Sequence, residues 1–279
     1  HEETGNWLTF QRDIAVRGWA REHSIPCNEP PQTAAVRGLK DRDEWTTHWN
    51  RRMYAPLIEP PARIRPVKGI DPGDVPFHRQ IGLVPDDRVG MQIGGERVAR
   101  DTLDSFLFRR GREYTFAMSS PVTADQHCSR LSPYLAWGNI STRQVVHAAR
   151  MRLNHLFNTP RHEQDWDHPD WIRSVKAFQS RMHWRCHFIQ KLESEPEIEY
   201  HNFMRSYDGL REDEFDWEKF DAWADGRTGY PLVDACMRYL RRRGWLNFRM
   251  RAMLVSFAAY SLWLHWREPA LHLARLFVD

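Results

Sequence analysis

Three groups of side chains in this 279-residue chain have types and spacings suited to chemistry. The first is a row of arginines, Arg238, Arg241, Arg242, Arg243, Arg249 and Arg251, flanking a helical hairpin that packing alone does not require. Guanidinium forks match phosphate oxygens, so the row suits a polyanionic partner; a solvated basic face accounts for it equally. The second is Cys128-Ser-Arg-Leu-Ser132, whose hydroxyls and free N–H groups precede a helix. Such a site binds phosphate well, although the bare pattern is also a simple N-cap. The third is thirteen tryptophans, which can fill a core, stack on bases or relay electrons. His127 beside Cys128, and His183 near Cys186 and His187, raise the question of a metal. The four cysteines lie far apart, without CxxC or Cys/His ligand spacing, so locally satisfied histidines and reduced, buried thiols of an intracellular protein are expected. No hydrolytic triad or catalytic carboxylate pair stands out.

These groups need elements to position them. Gly226 and Gly229 allow a tight turn with positive φ, and Pro231 suits a first helical position, where its missing N–H costs nothing. Val233, Met237 and Leu240 then recur at helical spacing until Gly244 closes the helix. Leu246, Met250, Met253, Phe257 and Leu264 form an apolar stripe on a second one. Upstream, His1 to Ile25 reads as a loop and an amphipathic helix, and Asn28 to Gln32 as a proline-marked break. Thr33 to Met53 reads as a helix, with Trp45, Trp49 and Met53 four apart. Ala55 to Gly94 carries Pro56, Pro60, Pro61, Pro66, Pro72, Pro76 and Pro85 and no sustained period, as expected of an interdomain linker. From Gly95 onward the pattern is helical. One helix is expected over Glu96–Phe116 and a short one over Ser132–Trp137, ending at Gly138. A third starts at the capping box Ser141-Thr-Arg-Gln144 and runs to about His155, and a fourth spans Trp171–Leu192. Glu193, Glu195, Glu197 and Glu199 read as a solvated loop. No β pattern follows the linker, so the fold class is mainly α.

Composition is that of an ordinary globular protein, 41% hydrophobic and 28% charged. A net charge of +3 is small, so any nucleic-acid affinity must come from clustering. Lysine occurs only at 40, 68, 176, 191 and 219; arginine supplies the other 35 basic residues. The longest uncharged run, Ala252 to Trp266, is too short to span a membrane, and no signal peptide opens the chain. Starting at His1 and stopping at Asp279, the chain is expected to be a fragment at both ends.

GRTGYPLVDACMRYL, from Gly226 to Leu240, resembles the flavin-binding core of the photolyase/cryptochrome family at every fixed position of G-x-T-G-[YF]-P-x-V-D-A-x-M-R-x-L. SRLSPYLAWGNIS is similar to that family's T-S-x-L-S and P-Y-L-x-x-G-x-[IL]-S, with Cys128 in place of the threonine. FQSRMHWR, from Phe178 to Arg185, resembles F-x-x-E-L-x-W-R, and GWLNFRMRA matches G-W-x-H-N-R-x-R-M in part. The resemblance implies an all-helical FAD-binding bundle over 95–279, preceded by a helix and linker at 31–94. Residues 1–30 would be the C-terminal remnant of an α/β antenna domain. It implies FAD contacts from Tyr114, Ser129, Leu131, Ser132, Arg185 and Arg251, with Asp279 the partner of Arg251 beside the flavin ring. Arg181, Trp184, Phe248, Arg249 and Ala252 would face the DNA lesion, and Trp266 would be the middle member of an electron-transfer chain.

The leading expectation is therefore an intracellular, cytoplasmic, monomeric photolyase that repairs pyrimidine dimers in DNA by blue-light electron transfer. An antenna chromophore, folate or deazaflavin, would belong to the missing N-terminal domain. Arg181, Phe248 and Ala252 replace the family's glutamate, asparagine and methionine at the lesion pocket. A cryptochrome-like photoreceptor acting on a signalling protein is the alternative, and a flavin-free DNA-binding helical module the third reading.

Overall fold

The computed structural model of the protein describes residues 6–31, 33–71, 73–84, 86 and 88–279. The expectations for His1–Gly5, Gln32, Pro72 and Pro85 lie outside them. Among the described residues there is no strand. Helix α1 (Trp7–Glu22) opens with the Asn6 side chain accepting from the Thr9 N–H. Only the last part of the expected Thr33–Met53 helix forms, as α2 (Trp45–Met53). The segment before it is held as turns by tertiary bonds that outweigh local propensity. The Trp45 indole N–H donates to the Ala34 carbonyl at 3.1 Å, and the Gln190 amide exchanges bonds of 2.6 and 3.0 Å with the Val36 backbone.

The single helix expected over Glu96–Phe116 is broken as well. Helix α3 (Glu96–Ser105) widens into a π turn at Phe106–Arg110, which Gly111 ends by donating to the Phe106 carbonyl. A one-turn helix α4 (Tyr114–Ala117) follows, then α5 (Ala124–His127) and α6 (Ser132–Ala136). The π turn aims Arg110 inward, the kind of re-aiming such turns often perform at sites. The Ser141/Gln144 capping box starts α7 (Thr142–Asn158), which outruns His155, and α8 (His168–Ser194) outruns both predicted ends. Part of the acidic run is engaged: Glu193 pairs with Arg37 at 3.3 Å, and the Glu199 carboxylate accepts from the Trp7 N–H at 2.7 Å. Helices α9 (Trp217–Ala224), α10 (Pro231–Arg243), α11 (Phe248–Ser256) and α12 (Arg267–Leu276) complete the chain. No helix among the described residues is long and apolar enough to cross a membrane.

The apolar side chains gather into two cores. The first joins α2, α3, α7 and α8 around Trp45, Met53, Phe106, Val145 and Phe178. The second joins α9 to α12 around Trp223, Met237, Leu240 and Leu254. Each large side chain so buried contributes about 1.5–3 kcal/mol. The expected second helix is shorter than its stripe: α11 ends at Ser256, a π turn spans Phe257–Ser261, and Leu246 and Leu264 lie outside both. The buried line runs Met250, Leu254, Ala258, with Met253 and Phe257 packed at its edge. All four cysteines are free, and Cys27, expected to be buried, is exposed in the segment after α1.

Candidate functional site

The seam between the cores opens into a cavity of about 600 Å³. Helices α4, α6 and α8 supply one wall, and residues 245–251 with Asp279 the other. Of the residues singled out by sequence, Tyr114, Ser129, Leu131, Ser132, Arg181, Trp184, Arg185, Phe248, Arg249, Arg251 and Asp279 all line this one cavity. Ala252 does not: it is exposed one helical turn beyond Phe248. Trp266 lies elsewhere, its indole N–H donating to Asn202 Oδ1 at 2.6 Å and its ring nearest His265.

The Cys128–Ser132 loop owes its shape to a residue the sequence reading did not single out for the site. The guanidinium of Arg110 donates to the carbonyls of Cys128 and Ser129, and its Nε bonds Ser105 Oγ at 2.7 Å. Burial, with Arg130 nearby, pulls the Arg110 pKa down to about 10. Arg130 itself sits at φ +61, a conformation that costs a non-glycine residue about 1 kcal/mol or more. Its side chain compensates by pairing with Asp125, bonding Gln92 Oε1 at 3.0 Å and stacking 4.0 Å over Trp245. Burial also raises the Cys128 thiol and the Tyr114 phenol to about 12 each, so both stay protonated at the cavity wall.

Across the cavity, the Gly226–Tyr230 turn is clamped by Asp234. Its buried carboxylate accepts from the Thr228 N–H (2.8 Å), Thr228 Oγ1 (2.6 Å) and the Gly229 N–H (3.0 Å). That clamp fixes the start of α10, and Gly244 at φ +66 ends it and delivers Trp245 to Asn247 to the cavity. Asn247 is buried and donates its amide to the Met118 carbonyl at 2.9 Å, tying the two walls together. The arginine row divides. Arg238 bonds the Gly226 carbonyl, Arg241 pairs with Asp225, and Arg243 bonds the Gly90 carbonyl, so these three staple the turn and the linker. Arg251 instead turns into the cavity, 2.7 Å from Asp279 Oδ2 and 3.9 Å over Phe277. The other oxygen of Asp279 is buried without a hydrogen-bond partner.

Arg110, Arg130, Trp245 and Asn247 were missed as site residues. Arg130 and Trp245 sit inside quoted motifs and could have been found there; Asn247 stands where the motif has histidine. Arg110 had no sequence signal, because its role depends on the π turn. Among the described residues, no group of three or more His, Cys, Asp or Glu side chains is placed to hold a metal ion.

Comparison with known proteins bears on this site directly. Residues 178–279 match the family described as the FAD binding domain of DNA photolyase. The deoxyribodipyrimidine photo-lyase of Streptomyces griseus is 32% identical over 190 residues, 68% of this chain and 37% of that protein. The cryptochrome DASH of Gloeobacter violaceus is 29% identical over 222 residues, 77% of this chain and 41% of that protein. The chain thus spans about two fifths of the length of these relatives. A bacterial class III photolyase from Agrobacterium tumefaciens superposes with a TM-score of 0.74 at 24% identity, over 99% of this chain and 57% of that one, a likeness of fold.

Proposed function

The chain belongs to the photolyase/cryptochrome family, and from that premise we propose that it holds FAD in a protein repairing pyrimidine dimers in DNA under blue light. The observation that carries this reading is Asp279, one oxygen on Arg251 and the other buried and unpartnered at the cavity wall. A buried acceptor left unmade costs about 1–3 kcal/mol, so the position suits a donor on a bound ligand. When bound, FAD would supply the light-driven electron transfer, while the residues lining the cavity would hold and orient it.

The chain's own residues do the holding. Ser129, Leu131 and Ser132 would take the pyrophosphate on a loop that Arg110 holds in place. Tyr114 stays a neutral phenol beside it. Arg185, 3.4 Å from Thr142 Oγ1, would touch the flavin side, and the Arg251–Asp279 pair would align the ring edge. Arg181, Trp184, Phe248, Arg249 and Ala252 would face the flipped dimer, whose extrusion costs a few kcal/mol that stacking offsets in part. Trp266 keeps the electron-relay role that the resemblance gives it. We assign 1–30 to an antenna-domain remnant, 31–94 to the linker segment and 95–279 to the flavin domain. An antenna chromophore, folate or deazaflavin, would bind outside this chain, and the whole protein would act as a cytoplasmic monomer.

A second reading, a photoreceptor signalling to a protein partner, is favoured by Arg181 and Phe248, neither of which can accept a hydrogen bond from a pyrimidine. The visible spectrum of the purified protein, before and during blue illumination, tests both. A flavin band that bleaches supports them, and splitting of dimer-containing DNA then selects repair. Added FAD that neither binds nor changes its spectrum removes both.

A further inference from the structure

At the mouth of the cavity the rings of Phe188 and Phe248 face each other from the two walls. Their centroids are 6.5 Å apart and their planes 26° from parallel, with Trp184 5.8 Å from Phe188. Trp184, Phe188 and Phe248 are 46%, 51% and 69% exposed, so the three rings form one apolar rim open to solvent. Arg181 and Arg249 line the same cavity, and Arg249 has no carboxylate partner among the described residues. The rim side chains themselves, Arg181, Trp184, Phe188, Phe248 and Arg249, offer no acceptor to a base edge. Asn247 and Asp279, the only carboxylate among the lining residues, carry acceptor oxygens, but both side chains are buried, unlike the exposed rings of the rim. A pyrimidine such as thymine carries an imide N–H that must find an acceptor, and guanidinium groups only donate.

A ring face, by contrast, is well served. With the Phe188 and Phe248 centroids 6.5 Å apart and their planes within 26° of parallel, rotation of these two exposed side chains admits a third ring at the ~3.4 Å spacing of stacked bases. Stacking is worth about 1–3 kcal/mol per base and is tolerant of base identity. We infer that Phe188 and Phe248 form a stacking slot for an unpaired base, holding DNA by ring face and phosphate and not by base edge. The inference rests on the DNA-binding part of the reading above and adds its mode of recognition. The slot therefore accepts damaged and undamaged pyrimidines alike.

The test is fluorescence anisotropy in the dark, at fixed salt, with a labelled single-stranded oligothymidylate, either bare or carrying one cyclobutane dimer. The wild-type protein binds the two within a factor of about 3. Phe188→Ala and Phe248→Ala each weaken both by about 5- to 100-fold. Phe248→Asn, which restores an amide, shifts preference toward the dimer. Arg249→Ala weakens both oligonucleotides equally and lowers the salt slope by about one. A wild-type preference for the dimer above about tenfold, or alanine variants with unchanged affinity, overturns the slot. Both phenylalanines are exposed, and circular dichroism checks that the variants fold. Because no light is used, a protein that stacks DNA but shows no flavin photochemistry keeps this inference and loses the reading beneath it, and the reverse outcome is equally visible.

Discussion

Replacing Arg110 by methionine isolates what a buried cation does for the loop at the heart of the cavity. The side chain keeps its apolar stem but loses the guanidinium and every donor. Arg110 has no carboxylate partner among the described residues. It is surrounded by carbonyls of Thr102 (3.4 Å), Gln126 (3.3 Å), Cys128 and Ser129, and by Ser105 Oγ. Burial pulls its pKa well below the ordinary guanidinium range, to about 10, so keeping the charge inside costs on the order of 3 kcal/mol. Removing it recovers that cost. Against this, the Cys128 and Ser129 carbonyls lose charge-assisted bonds worth roughly 1.5–3 kcal/mol each, and the others lose less. The two effects nearly offset, leaving a net destabilisation of about 1–3 kcal/mol.

The loop suffers more than the fold, because among the described residues only Arg110 joins the π turn to both carbonyls. Arg110→Met should therefore lower the urea midpoint modestly while weakening FAD binding at least tenfold, measured by titration of flavin fluorescence. Arg110→Lys keeps the charge but cannot span the carbonyls with a fork, so it should behave like methionine in binding. Wild-type FAD affinity in both variants would refute the reasoning, since the loop would then be held by something else. A stability loss above about 5 kcal/mol would show that the buried charge is not costly, which refutes the offset.

Further expectations concern the same walls. Cys128 and Tyr114 both ionise later in the folded protein than the ordinary values of 9 and 10, each near 12. Between those limits the unfolded chain has lost protons that the folded one retains, so stability falls as pH rises from about 9 to 12; denaturant midpoints across that range check the sign. Cys128→Thr should remove the lower part of that fall. Asp234→Ala leaves the Thr228 and Gly229 donors without their acceptor and should cost about 2–4 kcal/mol, read by urea unfolding. Asp234, held below the ordinary carboxylate range by those bonds although burial opposes its charge, contributes above about pH 4 and loses its contribution as pH falls through its folded pKa. Asp279→Asn should weaken FAD binding by tenfold or more with little change in urea midpoint; equal losses in both would make the pair with Arg251 a structural one.

The turn before α10 was legible because its signals are local. Gly226 and Gly229 take positive φ, Pro231 begins the helix, and Asp234 is close enough in sequence to accept from both turn residues. The Arg251–Asp279 pair was legible only through the resemblance, since a 28-residue separation carries no local signal. Thr33 to Glu44 was misread as helix because its bonds go to Gln190, Trp45 and Arg52, partners that local pattern cannot reveal. The π turn at Phe106–Arg110 hid Arg110 for the same reason: the apolar period runs through it, and only the backbone shows the extra residue in the turn. The arginine row read as one feature, yet tertiary contacts split it into staples and a cavity lining.

That split bears on how the site could diverge while the fold stayed put. The positions that match the family pattern and sit in the second core, Val233, Asp234, Met237 and Leu240, are all buried, and altering any of them would open a cavity or leave a polar group unpaired. Of the positions where the chain departs from that pattern, Cys128 and Asn247 lie in the cavity wall, whereas Arg181, Phe248 and Ala252 are exposed on the rim or beside it. Exposed substitutions of this kind usually change stability by less than about 0.5 kcal/mol, so packing places almost no constraint on them. What they change is the chemistry offered to a ligand: two hydrogen-bonding side chains give way to a permanent cation and an aromatic ring. The consequence is a cavity whose recognition chemistry changes most at its mouth, where packing constrains the side chains least.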